Sequence, residues 1–247
     1  MFSVKALLAA ASLAVALIGA APTTASTITV TQQTGNIFGN EQWDLNVRYK
    51  KPEDHTQSYN VMAGAFQLKT SDWKGLKNPL EFMAFCLTPF TYINLGGEPN
   101  YKVGTALSTS AQNLLGALAH GAWASINNAI TAAAFQLAVW EIAVDSDTKP
   151  FDLGNGLFRL NTLKNDSLAA RLQAEAWLAA IKNNDPAFAR NTTGLTFLSV
   201  GLDSRGNHKT QDLLTYNPPA PVPLPGALGF LAIGLAALAA KGRARRA

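Results

Sequence analysis

The stretch AITAAAFQLAVWEIAV, residues 129–144, decides the fold. Its only polar residues are Thr131, Gln136 and Glu141. A helix that is apolar on nearly all sides is normally buried inside a protein. The stretch is too short for a membrane span, and it contains a charged residue. The sequence therefore predicts a buried helix here.

Gln136 is the most unusual residue of this helix, because a buried side-chain amide must find hydrogen-bond partners or cost on the order of 1–3 kcal/mol. Trp140 follows four residues later and is expected on the same helix face. One interpretation is that Gln136 hydrogen-bonds to strand backbone and fixes how the helix docks.

Outward from this helix, the patterns predict strands first, then helices, then strands again. Strands are predicted at residues 27–33, 43–49, 59–69 and 82–95, with polar connections at 50–57 and 70–79. Helices are predicted at residues 108–119, 125–144 and 166–183, and further strands at 194–201 and 211–216. This order indicates an α+β fold: a β sandwich or barrel with a helical subdomain.

The three predicted helices differ in how clearly they show a buried face. In the first, Leu114, Leu115 and Leu118 are spaced to lie on one side. In the third, the apolar face is predicted along Leu168 and Leu172, continuing to Ala176 and to Ala179 or Ala180.

The N-terminus has the organisation of a secretory signal peptide from Met1 to about Ala25. Lys5 is followed by a nearly uniform apolar run, and small residues then mark a cleavage region between Ala21 and Ser26. The alternative is an uncleaved N-terminal anchor, for which the apolar run is short.

The C-terminus has three parts in a fixed order. A motif of Val222, Pro223, Leu224 and Pro225 is followed by an apolar segment at residues 226–240. As a helix this segment would span ~22 Å, short of the ~30 Å hydrocarbon core, so it predicts a marginal transmembrane segment. The chain closes with a basic tail, residues 241–247, which is expected on the cytoplasmic side. Its charges are on Lys241, Arg243, Arg245 and Arg246.

This arrangement resembles the PEP-CTERM sorting signals, most closely their VPLPA variant, with Gly226 where that variant has Ala. The resemblance implies a Gram-negative exported protein and two partners, the secretion machinery and an exosortase that cuts near the proline motif. It also implies transient anchoring in the inner membrane, followed by transfer to the cell surface or extracellular matrix. Residues 217–225 would then be a stiff, Pro-rich linker that contains the sorting motif.

The net charge of +4 comes from these ends, which hold five basic residues and no acidic one. The remaining chain has 15 basic and 16 acidic residues, so the charge gives no indication of nucleic-acid binding. Residues 26–216 are long enough for one well-buried domain.

Cys86 is the only cysteine, so an internal disulfide is impossible. It is therefore a buried free thiol, half of an intermolecular bridge, or a modified residue. Its motif is Phe85-Cys86-Leu87, and the buried helix carries the second motif, FQLAVW, at residues 135–140.

Together these two motifs resemble the thioester domain of bacterial surface adhesins. The resemblance implies that Cys86 supplies the sulfur and Gln136 the acyl group of an internal thioester, with Trp140 packed beside it. It further implies reaction with an amine-bearing surface ligand. Phe135 stands where that family often has Thr.

Other candidate sites are weaker. None of the three histidines belongs to a metal-spaced pair, and no metal or cofactor is predicted. Asp145, Asp147, Asp152 and Asn155 offer oxygen ligands for Ca²⁺, but without EF-hand spacing a solvated turn is the better interpretation. Glu141 and Asp145 are four residues apart, and no second motif supports glycosidase chemistry.

The sequence thus predicts an exported surface or matrix protein that is not an enzyme and that acts in adhesion or matrix assembly. The resemblance implies that a thioester between Cys86 and Gln136 provides the adhesion. The first alternative is a purely structural matrix protein without a reactive bond. The second is a secreted hydrolase acting on exopolysaccharide, which is also a candidate ligand for an adhesin.

Overall fold

The computed structural model describes most of the predicted domain and neither end of the chain. It covers residues 27–33, 36–38, 44–51, 54–70, 81–96, 99–146, 151–161, 166–201 and 209–217. The predicted signal peptide, the sorting motif, the apolar segment 226–240 and the basic tail lie outside these residues. Within the described part of the chain, no helix is long and apolar enough to cross a membrane.

The described residues form strands and helices in the predicted general order. The strands are β1 (Thr27–Gln32), β2 (Asp44–Lys51), β3 (Asp54–Gly64), β4 (Phe66–Thr70), β5 (Glu81–Cys86), β6 (Asn100–Val103), β7 (Arg159–Leu160), β8 (Leu195–Ser199) and β9 (Leu213–Tyr216). The helices are α1 (Thr109–Ala122), α2 (Ala129–Asp145) and α3 (Asp166–Lys182). Short 3₁₀ turns occupy Trp123–Ser125 and Pro186–Phe188.

Six strands close into an antiparallel barrel in the order β1, β4, β5, β9, β8, β6. Alternate residues of β1 and β4 are buried, as the two-residue period of a strand requires: Ile28 and Val30, then Phe66 and Leu68. The fold is therefore mixed α and β with a closed barrel, which confirms the barrel form of the prediction.

A second, three-stranded sheet has the order β3, β2, β7. It differs from the prediction, because residues 50–57 were expected to form a connection and instead belong largely to the β2–β3 hairpin. The predicted single strand at 59–69 is also wrong, since Ala65 is not in a strand and separates β3 from β4. The part before Ala65 joins the three-stranded sheet, and the part after it joins the barrel.

Helix α2 lies between the other helices and the strands, packed against α1, α3, β2, β3 and β5. It begins at Ala129 and not at residue 125, because Asn128 caps its N-terminus. The Asn128 side chain accepts a hydrogen bond from the Thr131 N–H at 2.9 Å, and the Thr131 hydroxyl accepts one from the Asn128 N–H at 3.2 Å. The predicted burial of this helix is confirmed.

The buried face of α1 is as predicted, whereas that of α3 is wrong. Leu168 and Leu172 are 41% and 58% exposed, and Ala176 and Ala179 are also exposed. The buried face of α3 consists instead of Ala170, Ala174, Trp177, Leu178 and Ile181. The large Trp177 ring decides the orientation, since it contacts Phe135 of α2 with ring centroids 6.4 Å apart.

Three further differences concern strand length and number. The strand predicted at 82–95 ends at Cys86, and the following residues form turns. Strands β6 and β7 were not predicted, because four- and two-residue strands are too short to show alternation.

Candidate functional site

The Gln136 side chain and the Cys86 backbone form a closed pair of hydrogen bonds. The Cys86 N–H donates to Gln136 Oε1 at 2.8 Å, and Gln136 Nε2 donates to the Cys86 carbonyl at 2.8 Å. Both residues are buried, so these bonds satisfy groups that water cannot reach. The two predicted site residues are therefore brought together by the docking of α2 against the end of β5.

The Cys86 backbone is available to Gln136 because β4 begins at Phe66 and has no residue opposite Cys86. The Leu87 N–H donates to the Asp212 carbonyl at 2.8 Å, so Leu87 points towards the β9 side. Neighbouring residues of a strand point their backbone groups in opposite directions, so those of Cys86 point to the β4 side. The last β4 partner is Phe66, opposite Ala84, and the Gln136 amide fills the next position.

The residues that precede Cys86 and Gln136 also meet. The rings of Phe85 and Phe135 have centroids 4.5 Å apart. Trp123 contacts both of them edge-on, at 5.6 Å and 5.5 Å respectively. These aromatic contacts hold α2 against β5 so that Gln136, which follows Phe135, lies beside Cys86, which follows Phe85.

Trp140 is buried as predicted, with 1% of its surface exposed. Its ring packs against Phe158 at a centroid distance of 5.6 Å. Its indole N–H lies close enough to the Cys86 thiol to favour the thiolate, although no described atom accepts a well-formed hydrogen bond from it. We regard this contact as electrostatic proximity, weaker than a regular hydrogen bond.

Burial raises the pKa of the Cys86 thiol to about 12, and contacts with Trp140 and Thr88 oppose this increase only in part. The charged thiolate is disfavoured because the site lacks water to solvate it. The thiol is therefore protonated at neutral pH, and a neutral derivative of the sulfur would not incur this penalty.

The hydrogen-bond pair also constrains where the reactive atoms lie. The amide carbon of Gln136 sits between its two bonded atoms and therefore faces the Cα of Cys86. The thiol is two bonds from that Cα, and its neighbours include Trp140 and Thr88. A thiol and a carboxamide in this arrangement are the reactants for acyl transfer to sulfur.

No family model, curated protein or solved structure matches this chain.

Of the four residues in the predicted solvated turn, Asp152 and Asn155 are exposed as expected, Asp145 is buried, and Asp147 lies outside the described residues. Asp145 accepts hydrogen bonds from the N–H groups of Leu157 and Phe158, both at 2.8 Å. A Cβ at Gly156 would lie 2.6 Å from an Asp145 oxygen, so only glycine lets the loop approach this closely.

Glu141 holds the same loop to the helix. Its Oε1 accepts a hydrogen bond from the Asp152 N–H at 2.7 Å, while its buried Oε2 has no partner among the described residues. Burial raises the pKa of the Glu141 carboxyl to about 7, and the nearby Asp145 and Asp152 carboxylates add to this increase.

Within the described residues, no group of three or more His, Cys, Asp or Glu side chains could hold a metal ion. Asp147 and His208 lie outside the described part of the chain. His120 is exposed in the last turn of α1.

Sequence reasoning missed a polar cluster beside the cysteine. Gln211 is buried, and its carbonyl accepts a hydrogen bond from the fully buried Tyr101 hydroxyl at 3.0 Å. The Asp212 N–H donates to Thr88 Oγ1 at 3.1 Å. A signal was present in the sequence, because Thr210, Gln211 and Asp212 are polar residues directly before an apolar strand.

Proposed function

We propose that the protein is an exported adhesin whose Cys86 and Gln136 form an internal thioester. The observation that carries the proposal is the pair of 2.8 Å hydrogen bonds that holds the Gln136 amide against Cys86. Preorganisation of this kind reduces the entropic barrier to reaction between the two groups. The motif resemblance supports the same assignment.

The bond forms by acyl transfer with loss of ammonia. The Cys86 sulfur attacks the amide carbon of Gln136, the C–S bond forms, and the C–N bond breaks. The thiol proton passes to the departing nitrogen, which leaves as NH₃. The Cys86 N–H already donates to Gln136 Oε1, the oxygen on which negative charge develops during the attack.

The buried surroundings favour the product over the ionised reactant. Burial penalises the thiolate, as the raised pKa of Cys86 indicates, whereas the thioester is neutral. A partner amine then attacks the same carbon, the C–S bond breaks, and Cys86 regains a thiol with the proton released by the amine. The partner remains attached to Gln136 through an amide.

Export is the second part of the proposal. It is supported by the predicted signal peptide and by the Val222-Pro223-Leu224-Pro225 motif with its apolar and basic extensions. An exosortase would release the domain from the inner membrane to the cell surface or matrix. A covalent bond to a surface amine suits that location, since it resists dissociation.

The test is the intact mass of the purified protein. We expect a mass lower by one ammonia than the sequence requires. Treatment with methylamine should then raise this mass by one methylamine. Peptide mapping should place the methylamide at Gln136, and one thiol should become reactive in the same step. Cys86→Ala and Gln136→Ala should each abolish both effects. Full sequence mass in freshly folded wild-type protein would refute the thioester.

A second candidate is a structural matrix protein in which Cys86 and Gln136 remain unreacted. It is favoured by one observation: both polar atoms of the Gln136 amide already have partners, so the pair is satisfied without a covalent bond. The same mass measurement separates the two candidates. In this case Gln136→Ala should chiefly lower stability, because it leaves two buried backbone groups unpaired.

A further inference from the structure

A small cavity of about 20 Å³ lies beside the segment that follows β5. Its wall includes Pro89, Phe90, Thr91, Tyr92 and Gln211. A cavity of this size holds one water molecule or one group of similar size.

Gln211 lines this cavity and carries a buried acceptor atom that has no partner among the described residues. The residue is 6% exposed, and its Oε1 has no hydrogen-bond partner among the described residues. Its Nε2 donates to the Thr91 carbonyl at 2.6 Å, and its own carbonyl accepts from the Tyr101 hydroxyl at 3.0 Å. If the amide were rotated by half a turn, Gln211 Oε1 would face the Thr91 carbonyl oxygen, and two acceptors would meet. Oε1 is therefore the atom without a hydrogen-bond partner. A buried acceptor without a donor costs free energy that a suitable ligand would recover.

The rest of the wall indicates which donor fits. Phe90 and Tyr92 contribute aromatic surface, with Tyr92 85% exposed, and Asn60 and Val61 of β3 also line the cavity. No carboxylate and no cationic side chain is among the described residues of the wall. An ammonium group can donate an N–H hydrogen bond to a neutral oxygen and is also attracted to the faces of aromatic rings.

We propose that this cavity binds the ammonium group of a primary alkylamine, with Gln211 Oε1 as its hydrogen-bond acceptor. The cavity size matches a single ammonium head and excludes a quaternary one.

The cavity is also tied to the candidate thioester. Pro89 is three residues beyond Cys86, so the two are separated by at most ~10 Å along an extended chain. The segment between them is held to Asp212 by a hydrogen bond from the Leu87 N–H at 2.8 Å and by one to Thr88 Oγ1 at 3.1 Å. We assign the cavity as the subsite that collects the acceptor amine before it reaches Gln136. This assignment rests on the proposed thioester, whereas the ammonium binding does not. The bound ammonium gives its proton to solvent before the neutral amine attacks.

The first experiment measures binding without any thioester. Purified protein with Cys86→Ala is titrated with methylammonium chloride while the backbone amide of Thr91, which lines the cavity and is present in every variant, is followed by NMR. Tetramethylammonium chloride is the control, with the same charge but a larger head and no N–H donor. We expect a saturable shift with methylammonium alone. Gln211→Met should raise the half-saturation concentration about tenfold or more, as loss of a hydrogen bond to a charged group requires.

A second variant guards against misfolding of Gln211→Met. Tyr92→Ala changes an exposed rim residue, so the fold should be unaffected while methylammonium binding weakens several-fold. Absence of a saturable shift would mean that the cavity holds only water, and it would overturn the proposal whether or not the thioester exists. An equal response to tetramethylammonium would also overturn it.

The second experiment concerns the acceptor role and uses protein with an intact Cys86. Gln211→Met should lower the rate of methylamine addition about tenfold at low methylamine and leave the limiting rate unchanged. An unchanged rate at low methylamine would refute the acceptor role while the binding result stands. If binding occurs but no thioester mass is found, the proposed function fails and the ammonium site remains.

Discussion

At the scale of single residues, the Gln136 amide acts as a one-residue extension of the barrel. It pairs with the N–H and carbonyl of Cys86 as a neighbouring strand would, at 2.8 Å for each bond. A side chain that imitates a strand must be held rigidly, and α2 holds it because nearly all of that helix is buried. The stability of this hydrogen-bond pair therefore depends on the burial of α2.

Replacing Trp140 tests how strongly the helix is held. Trp140→Ala removes a ring that is 1% exposed and packs on Phe158, so we expect a loss of ~3–5 kcal/mol in the free energy of unfolding. Trp140→Phe is the matched control, and it should cost clearly less because most of the ring volume remains. Denaturant unfolding of both variants measures this. An unchanged midpoint for Trp140→Ala would show that the helix is peripheral to the core.

Glu141 makes stability depend on pH. Burial raises the pKa of its carboxyl to about 7 in the folded protein, above the ordinary value of 4.5. The protonated form is therefore stabilised by folding relative to the anion. Its contribution is complete below about pH 4.5 and is lost as the pH rises through about 7, with a total of about 3 kcal/mol.

Glu141→Gln isolates this effect, because glutamine can still accept the Asp152 N–H bond and carries no charge. We expect the variant to match wild type near pH 4.5 and to exceed it in unfolding free energy at pH 8. Denaturant melts at the two pH values give the comparison. The same difference in unfolding free energy between the two proteins at both pH values would contradict the assignment.

At the scale of elements, the break at Ala65 creates the site. Because β3 leaves for the second sheet, β4 begins only at Phe66, and the barrel position opposite Cys86 is left open. Helix α2 occupies that opening with Gln136. A continuous strand from residue 59 to 69 within the barrel would have paired with Cys86 directly and excluded the glutamine.

Helix α3 offers a test of which face it buries. Leu172 is 58% exposed and should tolerate Leu172→Gln within about ±0.5 kcal/mol. Trp177 is buried against Phe135, so Trp177→Ala should cost ~3–5 kcal/mol. The free energies of unfolding of the two variants decide between the observed face and the one that the Leu spacing predicts. The opposite ranking would restore the predicted face.

At the scale of the whole molecule, a nearly neutral domain lies between two ends that carry basic residues and no acids. We expect the mature protein from the native host to lack residues 1 to about 25 and the basic tail, because both ends resemble cleaved sorting signals. Deleting residues 222–247 should release the domain in soluble form. Mass spectrometry of surface-extracted protein tests this, and recovery of full-length protein with an intact Arg246 would refute it.

The sequence alone was sufficient for features that depend on local pattern. The buried helix, its central glutamine and the buried face of α1 followed from apolar spacing, since a helix places every third or fourth residue on one side. Strands β8 and β9 and the mixed fold class followed from alternation and element order. The candidate pair of Cys86 and Gln136 was also found from the sequence, through its two motifs.

Only the tertiary structure decided features that depend on competition between distant residues. Helix α3 carries apolar residues on two faces, and contact with Phe135 selects the one with Trp177. The sheet to which residues 59–69 belong depends on pairing with β2 and β5, which strand propensity does not encode. The burial of Asp145 and Glu141, and the unpaired acceptor of Gln211, exist because loops from elsewhere in the chain fold over them. Local sequence cannot specify such contacts, because the energy of a buried polar group depends on partners that only the complete fold supplies.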